Sequence, residues 1–256
     1  MLPDLTLAQL LILSVLIFFA GVVDALAGGG GLITLPAYLA AGLNPALLLG
    51  TNKLASGIGT IASAVNYRRG RKLDLGHLGI PIAVCAVGSL LGARLSTWLD
   101  PAWFKYILLG VLPLVGWLVY SRHSFGREDR SRELGEKELE RRSGLLGFGL
   151  GIYDGFLGPG TGTFMALALS RWCRYDLVGS TARAKFLNLA TNLAALAFFL
   201  HAGRVHLSLG LSMGAVSLCG HWAGSHLGLK RGANAIRPAV LLVCAGLFAK
   251  LMFDCF

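Results

Sequence analysis

Long apolar runs, separated by short polar stretches, constrain this chain more than any other feature of its sequence. A helix needs about 20 apolar residues to cross the hydrocarbon core of a bilayer. Only 14% of the residues are charged, whereas a typical soluble domain has about 25%. The sequence therefore predicts an all-α polytopic membrane protein whose full-length spans cover residues 5–23, 45–66, 76–98, 102–120, 178–201, 205–227 and 235–253.

Three further apolar runs, residues 32–41, 144–157 and 161–170, are too short to span a bilayer alone. Two of them directly follow glycine-rich breaks, Ala-Gly-Gly-Gly-Gly at 27–31 and Gly-Pro-Gly-Thr-Gly at 158–162. This pattern predicts broken helices, in which a short half-helix begins inside the membrane.

The basic residues are unevenly divided among the loops between apolar runs. The formal net charge is +10, but these cations do not share one face with aromatic residues, so we expect no nucleic-acid site. By the positive-inside rule, loops after the third, fifth, seventh and ninth elements are predicted to be cytoplasmic and both termini external. These loops hold 16 of the 23 basic residues, at positions 68, 69, 71 and 72, seven between 122 and 142, and 171, 174, 230, 231 and 237.

The two halves of the chain resemble each other at a spacing of about 130 residues. Asp24-Ala-Leu-Ala-Gly-Gly-Gly30 parallels Asp154-Gly-Phe-Leu-Gly-Pro-Gly160, and Gly88-xxx-Gly92 parallels Gly220-xxx-Gly224. Five elements per half would insert the second half upside down. The predicted organisation is a first repeat (1–121), a charged cytoplasmic linker (122–143) and an inverted second repeat (144–256).

The Gly-xxx-Gly pairs predict close helix crossings. They could lie within one chain or at a dimer interface. The sequence therefore leaves open whether the protein is a monomer or a homodimer.

Asp24 and Asp154 occupy equivalent repeat positions inside apolar surroundings. A carboxylate in the membrane costs about 3 kcal/mol on insertion scales, so the pair suggests a shared task. The sequence allows three interpretations: capping of the broken helix, a proton-carrying or gating role, and an interfacial position. Protons are thus a candidate coupling ion.

Each glycine-rich break is predicted to expose backbone N–H groups and the positive end of a half-helix dipole, a generic site for an oxyanion. A basic residue predicted to be buried follows the break in the first half, Lys53, and two follow the break in the second half, Arg183 and Lys185. They could pair with the two aspartates or with an anionic substrate. The predicted substrate-binding residues are Gly28, Gly29, Gly30, Gly31, Thr51, Asn52, Lys53, Gly158, Gly160, Thr161, Arg183, Lys185, Asn188 and Asn192.

Other chemistry finds little support in the sequence. His221 and His226 lack the spacing of a helical metal pair, and the five cysteines form no C-x-x-C motif. We find no Ser-His-Asp arrangement and no Walker loop. We therefore expect no catalytic residues, no metal and no cofactor, and we interpret His221 and His226 as packed or interfacial side chains.

Three motifs resemble the TauE/SafE family of sulfite-exporter-like permeases: the tract 24–36 around the glycine run, Gly50-Thr-Asn-Lys53, and Tyr67-Arg-Arg-Gly-Arg-Lys-Leu-Asp74. The second half is similar to that family's second repeat through 158–162 and Ala184-Lys-Phe-Leu-Asn-Leu-Ala-Thr-Asn192. The resemblance implies a bacterial inner-membrane permease for sulfite, a sulfonate or a related anion. The alternatives are a channel or scaffold without active transport, and a membrane enzyme acting on a lipid.

Overall fold

The computed structural model describes residues 6–98 and 128–232, with the single positions 234, 238 and 245. In these residues the regular structure is helical, without β-strands. Short 3₁₀ turns lie at Gly76–Leu78 and Ser131–Glu133. The α-helices are α1 Leu7–Ala27, α2 Gly31–Ala40, α3 Pro45–Arg71, α4 Gly79–Ser96, α5 Glu136–Phe156, α6 Thr161–Trp172, α7 Leu177–His201 and α8 Leu207–Arg231.

Three stretches of the described chain are both long and apolar enough to cross a membrane: Leu7–Ala27, Gly76–Ser96 and Leu177–His201. Helices α3 and α8, with 27 and 25 residues, are also long enough but carry more polar side chains. Apolar side chains on α1 face outward, with Leu7 74% and Ile12 62% exposed. Such surfaces are stable against lipid, which confirms the prediction of an all-α membrane protein. The predicted spans 102–120 and 235–253 lie outside the described residues, apart from positions 238 and 245.

Two helices extend beyond the apolar runs from which they were predicted. Helix α1 does not end at residue 23 but continues to Ala27 and therefore includes Asp24. Helix α5 begins at Glu136, inside the segment predicted as a linker, and not at residue 144. The acidic side chains of its first turn interact favourably with the positive end of the helix dipole and so stabilise this start. Glu138 also pairs with Arg142, one turn further on, at 2.6 Å.

The two glycine-rich breaks cross each other near the middle of the fold. Gly28 ends α1 with φ +77°, a conformation that glycine adopts without strain. A β-carbon on Gly28 would collide with the backbone of Gly162 at the start of α6. The Thr163 hydroxyl donates a hydrogen bond to the Ala27 carbonyl at the same crossing. Each broken helix thus holds the other in place.

The repeated Gly-xxx-Gly pairs lie at helix crossings within the chain. Gly88 and Gly92 of α4 pack against the backbone of α5, and Gly220 and Gly224 of α8 pack against the backbone of α1. Helices α4 and α8 also contact α7 and α3, respectively. The partners therefore match under the repeat correspondence, in which α1 to α4 correspond to α5 to α8. The inverted orientation of the two halves in the membrane stays a prediction.

The loops that were predicted to be cytoplasmic meet at one end of the molecule. Arg71 at the end of α3 lies 2.8 Å from Asp176, which begins α7. Arg174, in the loop between α6 and α7, pairs with Glu133. Hydrogen bonds from Arg130 and Arg174 to the Glu133 carboxylate lower its pKa, so this link persists at neutral pH.

Candidate functional site

A buried ion pair joins the two halves of the chain between α3 and α5. The Lys53 Nζ lies 2.5 Å from the Asp154 Oδ2, and the two side chains are 3% and 2% exposed. Lys53 follows Gly-Thr-Asn in α3. Asp154 lies in the last turn of α5, directly before the second glycine-rich break. The ammonium thus stands beside that break. A β-carbon on Gly158 would be 3.4 Å from the Lys53 Nζ, so glycine leaves the ammonium next to bare backbone.

A second buried cluster joins the halves in the opposite sense. The Lys185 Nζ of α7 lies 3.1 Å from the Asp24 Oδ2 of α1, and it also donates a hydrogen bond to the Asp24 carbonyl. The other carboxylate oxygen, Oδ1, accepts a hydrogen bond from the Gly30 N–H at 3.0 Å. The His221 Nε2 of α8 lies 2.9 Å from the Asp24 Oδ2. Asp24 therefore caps the first break and compensates a buried lysine at the same time.

Each aspartate pairs with the lysine of the other half. Separating either pair would leave a charge buried without a partner, which typically costs about 3–5 kcal/mol. A small anion is a partner that could replace a carboxylate beside either lysine. The arrangement can therefore hold an anion between the halves without leaving a net charge in apolar surroundings.

The two breaks differ in how much of their backbone is engaged. At the first break, Asp24 binds the Gly30 N–H, and the N–H groups of Leu32 and Ile33 bond to the Gly29 and Gly30 carbonyls. At the second, the Thr161 N–H and hydroxyl both donate to the Gly158 carbonyl. The only partner described for the Asp154 carboxylate is Lys53. Capping of the break is thus seen for Asp24, whereas Asp154 serves mainly Lys53.

The predicted polar residues are buried and are divided among several contacts. The Thr34 hydroxyl of α2 donates to the Asn52 Oδ1 at 2.5 Å, linking that half-helix to α3. Asn192 donates to Asn188 at 3.4 Å along α7. Thr51 instead accepts a hydrogen bond at 2.9 Å from the His206 N–H, in the loop between α7 and α8. These contacts position α3 and α7 around the lysines, and Thr51 fixes a loop.

Arg183 is set apart from the two clusters. Its guanidinium carbon lies 3.8 Å from the centre of the Tyr175 ring, a cation–π contact. One of its nitrogens donates to the Gly179 carbonyl at 3.3 Å. Its described contacts are thus in the first turns of α7 and the preceding loop. The structure therefore brings Lys53 and Lys185 to the paired carboxylates but leaves Arg183 near the end where Asp176 lies.

His221 is the member of the site that sequence reasoning missed. It is 1% exposed and contacts Asp24, whereas the sequence favoured a packed or interfacial role. Its partner is 197 positions away, so no local spacing could identify the contact. The available signal was its place between Gly220 and Gly224, in a stripe of small residues that packs against α1. Among the described residues no group of three His, Cys, Asp or Glu side chains could hold a metal ion.

Comparisons with known proteins relate the chain to membrane transporters. Residues 13–251 match the family model described as Sulfite exporter TauE/SafE. The probable membrane transporter protein YfcA of Escherichia coli K12 is 36% identical over 247 residues, which are 95% of this chain and 91% of that protein.

Two further relatives span almost the same length. A probable membrane transporter protein of Haemophilus influenzae is 36% identical, over 98% of this chain and 97% of its own. The probable membrane transporter protein ORF9 of a Sinorhizobium species is 34% identical, over 98% and 95%. No solved structure matches the chain.

Proposed function

Because the chain belongs to the sulfite exporter TauE/SafE family, we propose that it is a secondary transporter for a small sulfur oxyanion or organosulfonate, such as sulfite. It is a multi-pass membrane protein of a transporter family. We place it in the bacterial cytoplasmic membrane, with the basic end that carries Arg71 and Arg174 in the cytoplasm and both termini outside.

The observation that carries this proposal is that each buried lysine pairs with an aspartate of the other half. Lys53 pairs with Asp154, and Lys185 pairs with Asp24, all four side chains being buried. A lysine whose charge is compensated by a single carboxylate, beside a glycine-rich break, is a site where an oxyanion can compete with that carboxylate. Oxygen atoms of sulfite or a sulfonate would accept hydrogen bonds from the ammonium and from backbone N–H groups.

Transport follows if the two pairs open and close in turn. An anion bound at Lys53 releases Asp154, and an anion bound at Lys185 releases Asp24. The halves are joined through these contacts, so weakening them favours a movement of one half against the other. Access to the anion would thereby change from one side of the membrane to the other, as in transporters built from inverted repeats.

Proton coupling is part of the proposal. A carboxylate that has lost its lysine lies in apolar surroundings, where its charged form is unfavourable, and it can take up a proton. The proton then removes the charge for which the lysine no longer compensates. Anion and proton would cross together without a separate ion pathway.

Flux of radiolabelled sulfite into proteoliposomes tests the function. Purified protein should accelerate uptake and exchange of sulfite relative to protein-free vesicles of the same lipid. An imposed pH gradient should drive accumulation, whereas equal pH should give exchange alone. Vesicles that contain folded protein but show the sulfite permeability of empty ones would overturn the assignment of this substrate class.

A further inference from the structure

His221 occupies a space shaped for its imidazole ring at the contact of α8 with α1 and α3. Gly21 of α1 and Gly59 of α3 both face the ring. A β-carbon on Gly21 would lie 3.0 Å from the Nδ1, and one on Gly59 would overlap the ring. The ring is enclosed on two sides by glycine and is held by hydrogen bonds at both nitrogens.

The partners of the ring serve it in two protonation states. The Nε2 lies 2.9 Å from the Asp24 Oδ2, and the Nδ1 lies 2.9 Å from the Ser217 carbonyl and 3.2 Å from the Ser217 hydroxyl. A carbonyl and a carboxylate only accept, so a doubly protonated ring donates to both. A neutral ring still donates to Asp24 and accepts from the Ser217 hydroxyl. Loss of the Nδ1 proton therefore replaces the hydrogen bond to the Ser217 carbonyl by one from the Ser217 hydroxyl, while the contact with Asp24 is kept.

Few other charged groups face this ring. Asp24 is the only charged residue of α1, and Lys185 reaches the same carboxylate from α7. On α3, Lys53 is paired with Asp154, and the Tyr67 hydroxyl donates to the Ala25 carbonyl. The remaining titratable or charged residues of α3 and α8 are Arg68, Arg69, Arg71, Cys219, His226, Lys230 and Arg231, which are exposed on the surface of the described structure.

The charge balance links this ring to an anion. With a neutral imidazole, the charges of Asp24 and Lys185 cancel, and one proton on His221 gives the cluster a single positive charge. A net charge in apolar surroundings is costly. A bound monoanion offsets it, so proton and anion each favour the binding of the other, as thermodynamic linkage requires.

Among the described residues, the cluster of Asp154 and Lys53 has no such group. Under the repeat correspondence of Gly220 with Gly88, the position of His221 is taken by Ser89. The Ser89 hydroxyl donates to the Thr191 carbonyl at 2.8 Å, and not to Asp154. Of the two described clusters, only that of Asp24 and Lys185 therefore has a histidine beside its carboxylate.

We propose that His221 and Asp24 together form the proton-binding site of the transport cycle, and that one proton bound there crosses with each monovalent anion. The substrate in this statement rests on the proposed function. When an anion replaces Asp24 as the partner of Lys185, the Nε2–H bond of the doubly protonated His221 breaks and an Oδ2–H bond forms on Asp24. The proton thus moves along an existing hydrogen bond to the released carboxylate. Asp154 has no histidine partner among its described contacts, so the transported proton is assigned to the Asp24 cluster.

His221→Gln tests the coupling, because glutamine can still donate to Asp24 but does not titrate. With one proton per anion, wild-type proteoliposomes should accumulate bisulfite, the monovalent form of sulfite, about tenfold for each unit of pH difference. The variant should reach about equal concentrations inside and outside under the gradient, whatever change the substitution makes to its rate of exchange at equal pH. His226→Gln is the matched control, since His226 lies on the same helix but is exposed, and it should accumulate sulfite like the wild type. Gradient-driven accumulation by His221→Gln at the wild-type level would overturn the proposal.

A measurement on purified protein separates this inference from the choice of substrate. With isotope-labelled histidines, the NMR signal absent from His221→Gln identifies the His221 ring, or, if that variant does not fold, the signal displaced by Ser217→Ala does. The signal should change when the pH of the sample is varied, because the ring gains and loses a proton, and Asp24→Asn should alter that change. A ring signal that does not respond to pH would overturn the proton site whatever the protein transports. A titrating ring in protein that carries no sulfite would instead support the site and overturn only the substrate.

Discussion

The Lys53 ammonium in the first half of the chain lies 2.5 Å from the Asp154 carboxylate in the second half. Asp24 and Lys185 repeat the relationship with the roles of the halves exchanged. Each buried charge is thus compensated only while the two halves stay together. This makes the contact between the halves sensitive to any ligand that replaces one of the four charges.

The stability of the Lys53–Asp154 pair should depend strongly on having both partners. Lys53→Met leaves Asp154 buried and uncompensated, and it should lower the free energy of unfolding in detergent by about 3–5 kcal/mol. The double variant Lys53→Met/Asp154→Asn removes both charges and should recover most of that loss. Thermal or denaturant unfolding of the wild type, Lys53→Met, Asp154→Asn and the double variant measures the coupling free energy between the two side chains.

The Arg71–Asp176 pair provides the control, because Arg71 is 39% exposed. Arg71→Met should cost about 0–1 kcal/mol, as for other exposed pairs. If the buried and exposed pairs gave equal losses, the Lys53–Asp154 contact would not be compensating buried charge.

The crossing of the two breaks predicts different outcomes for two glycines with the same backbone conformation. Gly28 and Gly42 have φ of +77° and +81°, so alanine strains both. A β-carbon at Gly28 would also collide with Gly162, whereas at Gly42 nothing lies within 4 Å. Gly28→Ala should therefore abolish folding or transport, and Gly42→Ala should cost only about 1–2 kcal/mol. Equal behaviour of the two variants in expression and thermal stability would show that the crossing does not constrain the fold.

Much of the site was predictable because it repeats. Asp24, Asp154, Lys53 and Lys185 stand out as charges in apolar runs at equivalent positions, and the breaks beside them stand out as glycine clusters. The sequence could not assign the partners, since a pairing between residues 101 or 161 positions apart depends on how the halves pack. Lys53 could equally have faced the aspartate of its own half.

The misplaced features have local causes. The charged residues 136–142 favour a solvated linker over a helix start, although Glu138 and Arg142 have the spacing of a helical ion pair. Arg183 was grouped with Lys185 because both lie in the same apolar run. Side chains two positions apart on a helix point to different sides. Arg183 therefore stacks on Tyr175, whereas Lys185 reaches Asp24.

The orientation predicts which surfaces can be labelled from each side of the membrane. In a protein without native cysteines, Arg69→Cys, Lys137→Cys and Arg231→Cys should react with a membrane-impermeant maleimide only after the cells are opened. Ala202→Cys, in the exposed turn after α7, should react in intact cells. Labelling of Lys137→Cys in intact cells would reverse the proposed topology.

The two carboxylates should differ in coupling if the proton binds beside His221. Asp24→Asn should still exchange sulfite but lose its response to a pH gradient. Asp154→Asn, whose side chain has no histidine partner among the described contacts, should keep that response even if its rate of exchange changes. Loss of the response in Asp154→Asn with its retention in Asp24→Asn would place the proton at Asp154 and not beside His221.

Binding of sulfite to purified Lys53→Met and Asp154→Asn proteins, measured by calorimetry at one pH, tests the central claim most directly. If the anion replaces Asp154 beside Lys53, removing the lysine should weaken binding about 10- to 150-fold, the loss of one charge-assisted contact of about 1.5–3 kcal/mol. Removing the carboxylate should strengthen binding, because the anion no longer has a competitor. Opposite changes in Kd for the two folded variants are the predicted result. Equal weakening by both, or an unchanged Kd in Lys53→Met, would contradict the account.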